Sequence, residues 1–144
     1  GRLPQQEGTV DAPIGRNPLE RKEMCVTAKN SKEAVTNYRV LQEYEGFSHL
    51  ELRLETGRTH QIRVHFSWLG HPLAGDSLYG GHTDIIARHA LHCAVLRFNR
   101  PADHEPRRVQ SPLPEDFLAA CCAAYLPDKE EIQTMLQSVL PCAE

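Results

Sequence analysis

The stretch "LETGRTHQIRVHFSWLGHPLAGDSLYGG", from Leu54 to Gly81, places two arginines and two histidines between an alternating apolar run and a glycine-rich loop. At the junction of a strand and a helix, Gly57 to Arg63 would turn free backbone N–H groups, a positive helix terminus and the Arg58 guanidinium toward one region. That combination suits an anion. Arg63 lies five residues beyond Arg58, roughly 140° around an ideal helix, so the two need not share a partner. An arginine fork also suits a carboxylate, because it makes two parallel charge-assisted bonds and stays charged when buried. A buried Arg63 would demand an acidic partner. The alternative, both arginines on an exposed polar face, is equally compatible with the spacing.

Other chemistries fit less well. His60 and His65 are five apart, with His71, His82, His89 and His92 following, whereas helical metal ligands favour an i, i+4 spacing. No metal is expected, and hydrogen-bonded or solvated histidines are the better reading. Gly75, Gly80 and Gly81 fit neither G-x-G-x-x-G nor a loop ending in Gly-Lys-Ser/Thr, so they read as turn glycines. Asp76, between Gly75 and Ser77, reads as a turn former rather than a nucleophile, and Asp11 as a local structural residue.

The elements that would position these residues can be read from spacing. The opening "GRLPQQEGTVDAPIGRNPLERK" suggests a loop with extended pieces near Thr9 to Ile14, and "MCVTA" a short strand. "EAVTNYRVLQEYEGFSHLELRLET" predicts a hairpin turning near Glu45 and Gly46, with Leu50, Leu52 and Leu54 on one face. Ile62, Phe66 and Leu69, spaced four and three apart before Gly70, predict a helix from about Thr59 to Leu69 that Thr59 could cap. A turn-rich loop then leads to a strand in "ALHCAVLRF". Two closing helices follow, "EDFLAACCAAYL" behind Pro114 and "IQTMLQSVL" behind Asp128 and Glu131. The mixture is α+β with an antiparallel sheet, in one domain spanning residues 1 to 144.

Composition supports a globular chain: 40% hydrophobic and 24% charged over 144 residues, with no apolar run near the ~20 residues of a membrane span. No membrane partner is expected. Five cysteines without a C-x-x-C spacing read as reduced, cytoplasmic thiols. The net charge of −3 conceals an asymmetry, because residues 1–110 hold 15 Lys/Arg against 13 Asp/Glu while residues 111–144 hold 1 against 6. A basic body precedes an acidic tail.

The Leu54–Gly81 stretch resembles the signature of the RluA-type pseudouridine synthases, enzymes that isomerise uridine within RNA. The likeness extends through "EGTVDAPIGR", "EAVTNYRVLQEY", "RHALHCAVLRF" and "SPLPEDF", roughly residues 7 to 120, leaving a C-terminal helix at 128–140 outside it. The resemblance implies a curved, mainly antiparallel sheet with flanking helices and a target uridine flipped from the RNA into a cleft. It also implies an Asp carboxylate that, without metal or cofactor, breaks the bond from ribose C1′ to base N1 so that the base can rejoin through C5. The family's H-R-L-D and K-x-Y-x-A motifs occur nowhere in this chain.

Carried over by position, Arg63 resembles the arginine that partners the catalytic carboxylate, and Leu91 the apolar residue beside the target base. Arg58, His60 and Gln61 sit where the motif could touch RNA backbone. Each has a plainer alternative, with Leu91 a core strand residue and His60 and Gln61 a helix-start network. The resemblance implies the C-terminal half of a catalytic domain, inactive alone, with its Arg63 partner absent. Its expected partners are RNA, ribosomal rather than transfer, and the missing upstream half, whose absence would expose core and favour a domain-swapped homo-oligomer. The competing expectation is a non-catalytic RNA-binding module whose basic face is Arg58, Arg97, Arg100, Arg107 and Arg108.

Overall fold

The computed structural model describes residues 1–125. The expected helix at 128–140 lies outside the described residues. Strands β1 (Glu7–Asp11), β2 (Ile14–Arg16), β3 (Met24–Val26), β4 (Ser31–Lys32), β5 (Val35–Tyr44) and β6 (Phe47–Leu54) precede helix α1 (Gln61–Trp68). Strands β7 (Val95–Asn99) and β8 (Pro106–Gln110) and helix α2 (Glu115–Tyr125) follow. The architecture is α+β, and every strand pairing is antiparallel.

The expected hairpin is β5–β6, turning at Glu45 and Gly46, where φ is +80° at the glycine, a value that costs a residue without Cβ little. Strand β1 adds to its free side, in the order β1-β5-β6. A break in register between Val40 and Gln42 bulges β5. The alternation read in β6 holds less well, since Leu54 at the strand end is exposed. A second small sheet has the order β3-β2-β4, and β7–β8 form a separate ribbon. The expected strand "ALHCAVLRF" forms only from Val95, because residues 91–94 run as irregular chain tied to the preceding loop.

Helix α1 packs against β3 and β5. Its buried face is Gln61, Val64, His65 and Phe66, a stripe at i, i+3, i+4 and i+5, while Leu69 stays exposed. Val64 joins Ile14, Ala34 and Tyr79 in the core, with Met24 and Val26 packed on it. Phe66 meets Tyr38 edge-on at 5.8 Å, and His49 of β6 meets Phe117 at 5.6 Å, tying α2 to the larger sheet.

Candidate active site

Helix α1 starts two residues later than its spacing predicts. His60 occupies the cap position in the left-handed region (φ 56°, ψ 19°) and no side chain caps the helix, so Thr59 does not take that role. Order comes instead from the Gln61 side chain. Its Oε1 accepts from the Arg58 backbone N–H (2.9 Å) and the Thr56 hydroxyl (2.8 Å). Its Nε2 donates to the Val35 carbonyl (3.0 Å) and Thr36 Oγ1 (2.9 Å). The Thr36 hydroxyl in turn meets His65 Nδ1 at 2.9 Å, and His65 Nε2 donates to the Ala12 carbonyl at 2.8 Å. This buried polar ladder ties the Arg-Thr-His-Gln loop to β5 and to the chain between β1 and β2. Gln61, expected at RNA backbone, is 3% exposed and has its amide saturated, so it orders the loop and presents no surface to RNA.

The acidic partner that a buried Arg63 demands is in this chain, and it is distinct from the H-R-L-D carboxylate, whose motif the chain lacks. Asp76 accepts from Arg63 Nε at 2.7 Å and from Nη2 at 2.8 Å, a side-on bidentate pair. Asp76 is 1% exposed and the Arg63 side chain 14%. Asp76 is also the turn former expected, since its Oδ1 accepts from the Tyr79 N–H at 3.3 Å. Burial pushes the Asp76 carboxyl up, but the Arg63 hydrogen bonds and charge outweigh it and hold the group below its ordinary value. The same bonds raise Arg63 against the opposing effect of burial.

Tyr79 joins the pair to its surroundings. The Arg63 guanidinium lies over its ring, 4.9 Å from the centroid. The Tyr79 hydroxyl accepts from the Met24 N–H at 3.0 Å and lies 2.8 Å from His60 Nδ1. The same hydroxyl thus ties the start of β3 to the residue before α1. Burial, followed by the Arg63 charge, lowers the His60 pKa. His60 is therefore a polar residue in a left-handed conformation beside an ion pair, a place where backbone strain tends to mark function.

The glycine-rich loop has a steric reason for its composition. Gly75 has φ +75°, and a Cβ there would meet the Arg88 carbonyl oxygen at 2.0 Å. Gly81 would meet the Leu73 oxygen at 1.9 Å. The close approach brings the loop against the 86–91 segment, where the Ala90 N–H donates to the Ala74 carbonyl at 2.7 Å. Leu91, the next residue, is half-buried in irregular chain rather than in a core strand.

Arg58 is half-buried, with Nε donating to the Glu33 carbonyl at 2.7 Å. The other residues of the expected basic face sit on the β7–β8 ribbon, with Arg97 directly opposite Arg108. Their charge is partly cancelled there, because Arg100 pairs with Asp103 and Arg107 with Glu105. Among the described residues, no three His, Cys, Asp or Glu converge as metal ligands.

Sequence reading missed the role of Asp76 and the whole of Tyr79. A signal for the first existed, because Asp76 is the single acidic residue between Glu55 and Asp84.

The sequence pattern of the RNA pseudouridylate synthase family matches residues 2–68. An uncharacterized RNA pseudouridine synthase of Bacillus subtilis, YjbO, is 53% identical over 117 residues, covering 81% of this chain and 41% of that protein. Ribosomal large subunit pseudouridine synthase D of Pseudomonas aeruginosa is 45% identical over 125 residues, covering 77% of this chain and 39% of the relative. The chain thus spans about two fifths of the length of the curated relatives it matches. The solved structure of human RNA pseudouridylate synthase domain containing 1 superposes with a TM-score of 0.70 at 34% identity, covering 96% of this chain and 62% of that one. With sequence and fold in agreement across the Arg63 region, the chain belongs to the RNA pseudouridylate synthase family.

Proposed function

We propose that this chain carries the arginine side of the active site of an RNA pseudouridine synthase, an isomerase that converts uridine to pseudouridine within RNA. The observation that supports it best is Arg63, a nearly buried guanidinium fixed on one edge by Asp76 and stacked over Tyr79. Asp76 uses Nε and Nη2, while Nη1 makes no hydrogen bond among the described residues. A second carboxylate, of the kind the family's H-R-L-D motif supplies, can meet that remaining edge. In this reading Arg63 holds the carboxylate that acts at C1′, and Leu91 packs beside the flipped uracil. Arg58 and His60 face the RNA. The reaction needs no cofactor, because glycosidic cleavage, base rotation and closure through C5 are redox-neutral.

Because H-R-L-D is absent from the 144 residues, a carboxylate-bearing segment is the partner this chain requires for turnover. Large-subunit ribosomal RNA is the proposed substrate, supported by relatives named for it in Pseudomonas aeruginosa and Vibrio parahaemolyticus. The cytoplasm is the proposed site of action, since relatives are named for ribosomal RNA and no described helix is long and apolar enough to cross a membrane.

Release of tritium from RNA labelled at uridine C5 tests the reading, because that hydrogen leaves when C5 becomes the glycosidic carbon. We expect no release by the chain alone and release when an H-R-L-D-bearing segment of the family is supplied, abolished by Arg63→Ala. Turnover by the 144 residues alone would show that a carboxylate within them does the work.

A further inference from the structure

Beside the Arg63 site stands a feature that neither the motif nor the ion pair uses. Residues 17–23 form the loop joining β2 to β3. Arg16, the last residue of β2, is the register partner of Met24, the first of β3. Met24 N–H is the group that donates to the Tyr79 hydroxyl, and Tyr79 is the ring beneath Arg63 and the partner of His60. One strand pair therefore anchors the loop to the site. The placement is visible electrostatically, because the Arg16 charge adds to that of Arg63 in disfavouring a proton on His60.

The loop is built rather than loose. The Leu19 N–H donates to Asn17 Oδ1 at 3.0 Å, an Asx turn, and the Glu23 N–H donates to the Glu20 carbonyl at 2.9 Å. The Asn17 N–H closes the base on the Glu23 carbonyl at 3.1 Å, and Arg16 Nη1 reaches the Arg21 carbonyl at 3.3 Å. Arg16 and Arg21, with Asn17 and Pro18, line an open cleft of about 460 Å³. Neither guanidinium forms an ion pair among the described residues, a state they share with Arg58 and Arg97, whereas Arg63 beside them is paired. Within the loop, Asn17 Nδ2 also donates to Glu23 Oε2 at 3.2 Å.

Two guanidinium groups without ion pairs, brought to one cleft by an ordered turn and adjacent to a site for a flipped nucleotide, have the chemistry of a phosphodiester clamp. We propose that this cleft binds a backbone phosphate of the RNA flanking the nucleotide at Arg63, gripped by Arg16 and Arg21. The inference rests on the RNA reading above and adds a contact region that lies outside the Leu54–Gly81 motif. A flipped nucleotide must be held against restacking, and two cations at the neighbouring phosphate oppose that return.

The test is equilibrium binding of a fluorescently labelled uridine-containing RNA stem-loop to the 144-residue chain, followed by anisotropy between about 50 and 200 mM salt. Arg16→Ala/Arg21→Ala should bind about tenfold more weakly at the lower salt, the loss expected of a charged hydrogen-bonded contact. Its slope of log affinity against log salt should be shallower by about 1. Arg53→Ala, which removes one exposed charge from β6, is the charge-matched control for Arg21→Ala alone and should leave the slope unchanged. Arg21→Ala alone repeats the measurement in a variant whose side chain makes no hydrogen bond among the described residues, so folding is not at stake. Wild-type affinity and slope in the double variant, or an equal loss in Arg53→Ala, would overturn the clamp and leave the RNA reading standing. Absence of salt-dependent RNA binding by the unaltered chain would overturn both.

Discussion

Arg63 shows how far a single residue type can be read. Its fork, its burial and its place in the motif all call for a carboxylate, and the structure supplies one thirteen positions away in Asp76. The pair is nearly dry, so removing one partner leaves a charge without its compensation. Asp76→Ala is therefore expected to destabilise the fold by about 3 kcal/mol, the lower end for a broken buried pair because Arg63 retains some exposure. Urea denaturation measures it, and a loss below about 0.5 kcal/mol, the scale of a surface substitution, would show that the pair contributes little.

At the scale of the element, helix α1 is held by polar side chains where its periodicity suggested an apolar stripe. Gln61 serves four partners and His65, with no exposed surface, serves two, so the helix is registered on β5 by a ladder of directional bonds. Such a network specifies one geometry, and a partial deletion strands the remaining groups. Gln61→Leu conserves approximate volume but leaves the Arg58 N–H, Thr56 and Thr36 without an amide partner. A loss of about 2 kcal/mol is expected, together with faster hydrogen exchange at the Arg58 amide. Unchanged exchange there would show that the loop before α1 is ordered by something other than Gln61. The hairpin β5–β6 and the stop at Gly70 were legible in local spacing. The late helix start was not, because nothing local requires His60 to adopt a left-handed conformation; its bond to Tyr79, nineteen residues on, holds it there.

For the whole molecule, two histidines make stability depend on pH. Burial lowers the pKa of His49, which packs on Phe117, and burial with the Arg63 charge lowers that of His60. Below the ordinary value of 6.5 the unfolded chain therefore binds protons that the folded chain resists. Their contribution is complete above that value and is lost as pH falls through it toward the lower folded values. The melting temperature should decline from pH 7 to 5, with a shallower slope in His49→Gln/His60→Gln. An identical slope in that variant would assign the acid sensitivity to other groups.

By itself the sequence determined the α+β class, the central hairpin, the turn-rich loop and the need of a buried Arg63 for an acidic partner, because these are written in periods of two and three to four residues, in glycines, and in the chemistry of one side chain. Only the tertiary structure decided that Asp76 partners Arg63, that Gln61 faces inward, and that Tyr79 joins Met24 to His60 across fifty-five and nineteen residues. It also decided that the loop after Arg16 stands beside the site. The physical reason is that hydrogen bonds and ion pairs depend on distance in space. Chain separation records that distance only within a turn or a hairpin, and these contacts are made where α1, β3 and the glycine-rich loop converge.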